Sequence, residues 1–190
     1  PNGIKKTNIK MINYGNRGMA LQEDINLSNE FYRLNDIAII HKKPTPITIT
    51  KVDYPSRLEA VIKEAYFKIP STTDYNGVYK GRYIDFEAKE TRCKNFPLAN
   101  IHIHQLNHLR QIEKHNGIAF IIVRFSKLDE TFVLIAYDLF NYLDNNTKKS
   151  IPYSYFKEKG FLLKNTFNPR LDYLKVIDKI YFGGNNEKRV

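Results

Sequence analysis

The sequence of 190 residues is poor in several features, and each shortage excludes a class of protein. It has one cysteine, Cys93, which excludes an internal disulfide and a cysteine-rich zinc module and fits a reducing cytosol. No apolar run approaches the roughly eighteen residues of a membrane-spanning helix, and no signal-peptide pattern opens the chain. These absences predict a cytoplasmic protein that has no membrane partner.

Acidic residues are in the minority. Twenty Asp and Glu stand against thirty Lys and Arg, which leaves a net charge of +10 and a pI near 9.5. Such a field favours a polyanion as partner, whether nucleic acid, an anionic membrane surface or acidic proteins. Thirteen tyrosines and twelve phenylalanines offer faces on which bases can stack, although most must be core. On charge alone, a merely basic protein is an equally good interpretation.

Hydrophobic spacing predicts one folded domain after a flexible basic N-terminal tail over residues 1–15. Helical periodicity is present from about 19 to 34, from about 101 to 115, and in the segment NPRLDYLKVIDKIYF. The runs IAIIH, GIAFIIVRF and TFVLIA are rich in branched and aromatic residues and predict strands, the first of them buried. Helices mixed with strands predict an α/β fold with a mixed central sheet flanked by helices.

One segment departs from this pattern. KKPTPITITKVDYP alternates apolar and polar residues but contains two prolines among the alternating positions and one at its end. Proline cannot donate to a sheet ladder, so the segment indicates an extended arm or an edge strand and not a central one. The next run, AVIKEAYFKIP over residues 60–70, is ambiguous between strand and helix.

The stretch TTDYNGVYKGRYIDFEAKE, residues 72–90, predicts a hairpin that carries candidate active-site residues. If Lys80-Gly81 is its turn, since glycine tolerates the positive φ of tight hairpins, then Asp74 falls opposite Glu87. Alternation places Tyr83, Asp85, Glu87 and Lys89 on one face and Ile84, Phe86 and Ala88 on the other. Asn76-Gly77 is a second turn signal, which would shift this register.

Two facing carboxylates repel each other unless one is protonated or a cation lies between them. Mg²⁺ is typically held by one or two carboxylates with water and substrate phosphate, and it activates water for attack on phosphorus. A lysine beside it can orient the nucleophile or stabilise the transition-state charge. The alternative is a solvent-facing strand whose Asp, Glu and Lys form surface ion pairs; the residues leave both open.

Several longer motifs resemble one protein family. Read together, NRGMALQEDI, IAIIHKKPTP, DYPSR, VIKEAYFK, STTDYNGVYKGRYIDFEAKET, FPLANIHIHQ and PRLDYL resemble the RecU Holliday junction resolvases. The resemblance runs from about Asn16 to the final helix. It implies a restriction-endonuclease-like fold of the PD-(D/E)xK nuclease superfamily, with residues 16–190 as a single nuclease domain and a projecting stalk inserted at about 44–71. It also implies a homodimer that requires Mg²⁺, with Mn²⁺ as a possible substitute.

The resemblance assigns roles to individual residues. It implies that Asp74 and Glu87 hold the metal, with Thr73 and the Ala88 carbonyl nearby, and that Lys89 is the catalytic lysine. Gln105, in HIHQ, matches an active-site glutamine. Helical spacing places Gln105 either on an otherwise apolar face, where a buried amide needs partners, or at the edge of that face.

Three residues match family positions implicated in DNA contact or in modulating RecA: Arg17, Lys42 and Arg57. Each could equally be a solvated surface charge. Tyr66 and Phe67 lie in the region that resembles the stalk and could also contact DNA by stacking on bases opened at the crossover, although aromatics in such a run ordinarily pack into protein. The resemblance implies four-way junction DNA as substrate, RecA and the RuvAB branch-migration complex as candidate partners, and association with the nucleoid.

Other residues give weaker evidence of a functional role. His104 and His108 are one helical turn apart, but without cysteine partners or an HExxH pattern they indicate a surface helix and not zinc. Asp85 is interpreted as electrostatic background, and the pair Lys42-Lys43 as phosphate-facing or solvated. Glu23 or Glu30 of the first helix is a candidate to assist the metal.

The sequence therefore predicts a Mg²⁺-dependent endonuclease that resolves Holliday junctions by paired symmetric incisions in recombination and repair, leaving 5′-phosphate ends. Two rivals stay open. One is a non-catalytic DNA-architectural protein that binds junctions, anneals strands and modulates RecA, and the other is a duplex-specific nuclease of restriction type.

Overall fold

The computed structural model describes residues 20–56, 60–68 and 72–183. The helices are α1 (Ala20–Leu34), α2 (Ile103–Lys114), α3 (Ala136–Asn145), α4 (Tyr153–Lys159) and α5 (Tyr173–Ile177). The longer strands are β1 (Ile39–Lys42), β2 (Ile47–Asp53), β3 (Val61–Phe67), β4 (Tyr75–Tyr79), β5 (Arg82–Thr91), β7 (Ile118–Phe125) and β8 (Glu130–Ile135). Three short strands complete the set: β6 (Phe96–Pro97), β9 (Ser150–Ile151) and β10 (Phe161–Leu163).

Six strands form the central sheet, in the order β1-β4-β5-β7-β8-β10. The pairing of β5 with β7 is parallel and the other four pairings are antiparallel, so the sheet is mixed. A parallel pair needs a crossover connection, and α2 lies within the one that joins β5 to β7. The predicted α/β fold with a mixed central sheet and flanking helices is confirmed.

A separate apolar layer lies on each face of the sheet. One layer joins α1 and α5 to the sheet and is centred on Phe86, whose ring stacks on Tyr75 and Phe120 at centroid distances of 4.8 and 4.7 Å. The other joins α2, α3 and α4 to the opposite face, where Leu109 and Phe156 pack. All eight residues of β7 are buried, as expected for a central strand covered on both faces.

Two expectations about the elements need correction. The run IAIIH was expected to be a buried strand, but β1 is the outermost strand of the sheet and only Ile40 in it is buried. Strand order, which local hydrophobicity does not specify, decides this exposure. The terminal amphipathic helix is also shorter than expected, because α5 ends at Ile177 and continues as a π-helical turn, Asp178–Phe182.

The segment predicted as the stalk forms a two-stranded ribbon of β2 and β3. Its register runs from Ile47 opposite Phe67 to Asp53 opposite Val61, with a bulge near Lys51. Within the described part of the chain, the ribbon pairs with no strand of the central sheet, and both of its strands are exposed along nearly their whole length. Residues 60–67, ambiguous from sequence, are therefore mostly strand.

Among the described residues, no helix has the length and apolar character needed to cross a membrane.

Candidate active site

The hairpin of β4 and β5 has the register that the sequence predicts. Lys80 and Gly81 form its turn with φ values of 48° and 75°, the positive values required of a two-residue hairpin loop. Tyr79 pairs with Arg82 and Tyr75 with Phe86. One step beyond the last pair, the Asp74 N–H donates to Glu87 Oε2 at 3.1 Å. Asp74 therefore faces Glu87, as predicted.

The competing turn signal, Asn76-Gly77, has another explanation. Gly77 lies within β4, opposite Ile40 of β1. A Cβ at this position would lie 2.0 Å from the carbonyl oxygen of Ile39 and 2.7 Å from the Cα of Ile40. The glycine therefore permits the close approach of two strand backbones, and it does not turn the chain.

We expect Gly77→Ala to lower the free energy of unfolding by roughly 1–3 kcal/mol, because the added methyl must push β1 away. Val78→Ala, at the neighbouring exposed position of the same strand, is the control and should change stability by less than about 0.5 kcal/mol. Urea unfolding of both variants measures the difference. Equal stability of the two variants would contradict the role given to Gly77.

Glu87 is the buried acid of the site. Its side chain is fully buried on β5, and Lys89, on the same face of the strand, places its Nζ 2.6 Å from Glu87 Oε1. The Lys89 side chain stays about one-fifth exposed, at 21%. The predicted alternative of a solvent-facing strand is therefore wrong for this face, because the acids are not surface charges.

Burial and, second, the negative charge of Asp74 raise the pKa of Glu87, the Lys89 ammonium lowers it, and together these effects bring it to about 7. A cation placed between this carboxyl group and Asp74 would offset the repulsion between the two negative charges and favour the ionised form of Glu87. Within the described ranges, no three His, Cys, Asp or Glu side chains converge to hold a metal. Two carboxylates completed by backbone, water and substrate phosphate are, however, the donor set that Mg²⁺ prefers. The residues present fit that ion.

Thr73 and Ala88 lie beside the two acids. Thr73 is buried, and its hydroxyl donates to Asp85. Ala88 lies in β5 between Glu87 and Lys89, with its methyl group in the α1-side core. Both positions are adjacent to the acids, and their roles at a metal stay predictions.

Gln105 is buried in the first turn of α2, as the sequence predicts for its face. Its Oε1 accepts a hydrogen bond from the His102 N–H at 3.0 Å. This bond is one half of a capping box, which satisfies an N–H at the start of the helix. The amide therefore helps to fix the end of α2, a helix that packs against β5, and its catalytic role stays a prediction.

The residues predicted to contact DNA fall in three places. Lys42 ends β1 beside the hairpin, is exposed, and donates to Gln22 Oε1 at 2.8 Å. Tyr66 and Phe67 lie on the ribbon with 59% and 83% of their surfaces exposed, so neither packs into the protein core. Arg17 and Arg57 lie outside the described residues.

Three further residues were misjudged from sequence. Asp85 is fully buried, Lys43 Nζ lies 2.8 Å from its Oδ2, and His108 Nε2 lies 3.1 Å from the same oxygen. Asp85 is therefore not background, and neither Lys43 nor His108 is a purely solvated side chain. The available signal was the alternation of β5: an acid on the Glu87 face is buried with it, and a buried charge requires partners.

The first-helix glutamates are less informative. Glu23 and Glu30 are both exposed on α1. Among the contacts of the described residues, neither glutamate touches Asp74 or Glu87. Assistance to the metal by either one stays a prediction.

Comparisons with known proteins match this chain to a family model, to relatives of similar length and to a solved structure. The family model "RecU: Recombination protein U" matches residues 16–179. A Holliday junction resolvase RecU of Bacillus cereus (strain B4264) is 53% identical over 182 residues, covering 94% of this chain and 91% of that protein. A protein of the same name from Bacillus thuringiensis (strain Al Hakam) is 54% identical over 181 residues, covering 93% and 90%. Archaeoglobus fulgidus Hjc, a solved Holliday junction resolvase, matches with a TM-score of 0.47 and 11% identity over 76% of this chain and 94% of its own.

The family model spans most of the chain, and the Bacillus relatives share more than half of the aligned residues over nearly their full length. The structure has the α/β fold with a mixed central sheet and flanking helices that the sequence motifs imply. The chain therefore belongs to the RecU family.

Proposed function

We propose that this chain is a Mg²⁺-dependent endonuclease that resolves four-way DNA junctions by paired symmetric incisions. The observation that carries the proposal is the hairpin, which brings Asp74 against the buried Glu87 and places Lys89 2.6 Å from the latter. The relatives named Holliday junction resolvase support the substrate.

In this mechanism Asp74 and Glu87 would hold the ion, with Thr73, the Ala88 carbonyl and Gln105 as the neighbouring residues. The chemistry that Mg²⁺ supplies when bound is polarisation of a phosphoryl oxygen and a lowered pKa of the attacking water. Mn²⁺ fits the same oxygen donors. Lys89 orients the attacking water or stabilises the charge that develops on the phosphorane-like transition state. In-line attack forms a bond between the water oxygen and phosphorus and breaks the P–O3′ bond; the attacking water gives up a proton, the departing 3′ oxygen takes one up, and the ends are a 5′-phosphate and a 3′-hydroxyl.

The ribbon and the basic surface supply DNA recognition. The exposed rings of Tyr66 and Phe67 are free to stack on bases opened at the crossover, a contact worth about 1–3 kcal/mol per base in single-strand systems. Lys42, Arg17 and Arg57 contact phosphates on the junction arms. Two sites related by a twofold axis in a homodimer match the near-twofold symmetry of the junction.

The cellular setting follows from this activity. An enzyme of recombination and repair acts on the nucleoid in the cytoplasm, where RecA and the RuvAB complex handle the same junctions. We include both as partners in the proposal.

Cleavage of a mobile four-way junction and of a matched linear duplex tests the proposal. Each DNA is incubated with the protein and Mg²⁺, Mn²⁺ or EDTA. We expect symmetric nicking of the junction that requires the metal and leaves the duplex intact. Tight junction binding without cleavage under any condition would leave only the DNA-architectural role, and equal cutting of the duplex would identify a duplex-specific nuclease.

A further inference from the structure

Asp85 is a second buried acid on the active-site face of β5, two residues before Glu87, and the reaction proposed above does not use it. Its carboxylate is completely buried. Four side chains contact it: Lys43, Thr73, Tyr83 and His108. We call these five residues the Asp85 network. A buried charge with several partners fixes the segments that carry those partners, since losing any one leaves polar groups unpaired.

Two of the partners come from the two ends of the stalk. Lys43 precedes the ribbon, which begins at Ile47, and Thr73 follows the return strand, which ends at Phe67. The Lys43 ammonium lies 2.8 Å from Asp85 Oδ2 and 3.1 Å from the Thr73 hydroxyl, which itself donates to Asp85 Oδ1. We call the segments 43–46 and 72–74, which lead into and out of the stalk, its two legs. One carboxylate thus joins both legs to β5.

The backbone of the two legs is joined as well. The Lys43 N–H donates to the carbonyl oxygen of Asp74 at 2.7 Å, and the Lys68 N–H donates to the carbonyl oxygen of Pro46 at 2.9 Å. The outgoing leg is therefore bonded to the residue that faces Glu87. A displacement of the stalk base would move Asp74 with it.

We propose that Lys43 and Asp85 are positioning residues that clamp both legs of the stalk to the strand carrying Glu87. The stalk and the active site then form one rigid unit, so that a junction seated on the stalk presents its phosphate at a fixed distance from Asp74 and Glu87. This clamp determines the preference for a junction over a duplex. The inference rests on the proposed function for its substrate, but the clamp itself is a property of the protein alone.

Amide hydrogen exchange tests the clamp without DNA or metal. In Lys43→Met we expect exchange of the hydrogen-bonded leg amides, those of residue 43 and Asp74, to become at least about tenfold faster while that of buried β7 is unchanged. Lys164→Met, which removes the same charge from an exposed position after the opposite edge strand, should exchange like the unaltered protein. Leg exchange equal to that of the unaltered protein in Lys43→Met would overturn the clamp.

Junction and duplex affinities in EDTA test the consequence. We expect Lys43→Met to lower the ratio of junction affinity to duplex affinity about tenfold, and Lys43→Arg, which keeps the charge facing Asp85, to restore most of it. An unchanged ratio in Lys43→Met would overturn the assigned role in specificity. If Lys43→Met fails to fold, Thr73→Val is tested in the same two assays, because it releases one leg without removing a charge. The same results are expected of it, and unchanged exchange or an unchanged affinity ratio would overturn the proposal.

Failure of this inference and failure of the proposed function are separable. A protein that never cleaves DNA but loses leg protection in Lys43→Met refutes the nuclease and keeps the clamp. A junction-cleaving enzyme whose legs exchange alike with and without the Lys43 ammonium refutes the clamp and keeps the nuclease.

Discussion

A Lys89→Met variant should bind a four-way junction almost as tightly as the unaltered protein and cleave it roughly 10²–10³-fold more slowly. The expected loss is that of one preorganised donor to the transition state. The Lys89 ammonium lies 2.6 Å from Glu87 Oε1 and keeps about one-fifth of its side chain exposed, so it is held in place yet accessible to substrate. Methionine keeps an unbranched stem one atom shorter than that of lysine, and so most of its packing, without the charge.

Single-turnover cleavage at saturating protein measures this rate apart from affinity, and binding in EDTA measures affinity apart from chemistry. Lys164→Met is the matched control for the loss of one positive charge, because it lies after β10 at the opposite edge of the sheet from β1. Cleavage by Lys89→Met at the rate of the control would remove Lys89 from the catalytic role.

The metal-free protein should lose stability as the pH rises from about 4.5 through 7, and Glu87 should be a main cause. Burial and the nearby charge of Asp74, opposed by Lys89, raise the pKa of Glu87 from 4.5 to about 7 in the folded state. The folded state therefore holds a proton that the unfolded state releases, so the stabilising contribution is full below 4.5 and is lost as pH rises through 7. The difference corresponds to on the order of 3 kcal/mol as an upper bound.

Glu87→Gln removes this titration, so its melting temperature in EDTA should fall less between pH 5 and pH 8 than that of the unaltered protein. Thermal unfolding across that range measures both proteins, and Glu158→Gln, which removes an exposed acid on α4, is a control away from the site. Parallel pH profiles for Glu87→Gln and the unaltered protein would show that Glu87 ionises normally.

The same pKa predicts how a metal is taken up. An ion bound at Glu87 must displace its proton, so binding releases a proton below about pH 7 and its affinity rises with pH up to that value. Calorimetric titration of Mg²⁺ or Mn²⁺ in buffers of different ionisation enthalpy counts the protons released. Metal binding to Glu87→Gln with unchanged affinity would place the ion elsewhere.

The parts of the site that sequence could predict are those set by local geometry. Alternation places Glu87 and Lys89 on one face of β5, and once Lys80-Gly81 rather than Asn76-Gly77 is taken as the turn, the opposition of Asp74 and Glu87 follows by counting. The helical spacing that places Gln105 on the inner face of α2 is local in the same way.

The features of the site and the sheet that the sequence did not predict depend on contacts between segments far apart in the chain. Lys43 and Thr73 lie 42 and 12 residues before Asp85, and His108 lies 23 after it, so no periodicity links them. The exposure of β1 depends on its place at the edge of the sheet. Nothing in a short β-branched run distinguishes an edge strand from a central one, because both need the same residues to pack on the sheet face.

The single parallel pairing in the sheet has a consequence for the order in which the chain folds. The β4–β5 hairpin closes over two residues, whereas β5 can join β7 only after the intervening segment that contains α2 has been brought into place. Because short loops cost less entropy to close, we expect the hairpin to form first. The repulsion between Asp74 and Glu87 then arises in a nascent, hydrated element, where water still screens it. Burial of Glu87 comes later, when α2 docks and β7 pairs. The free-energy cost of bringing the two acids together out of water therefore arises at a late stage of folding.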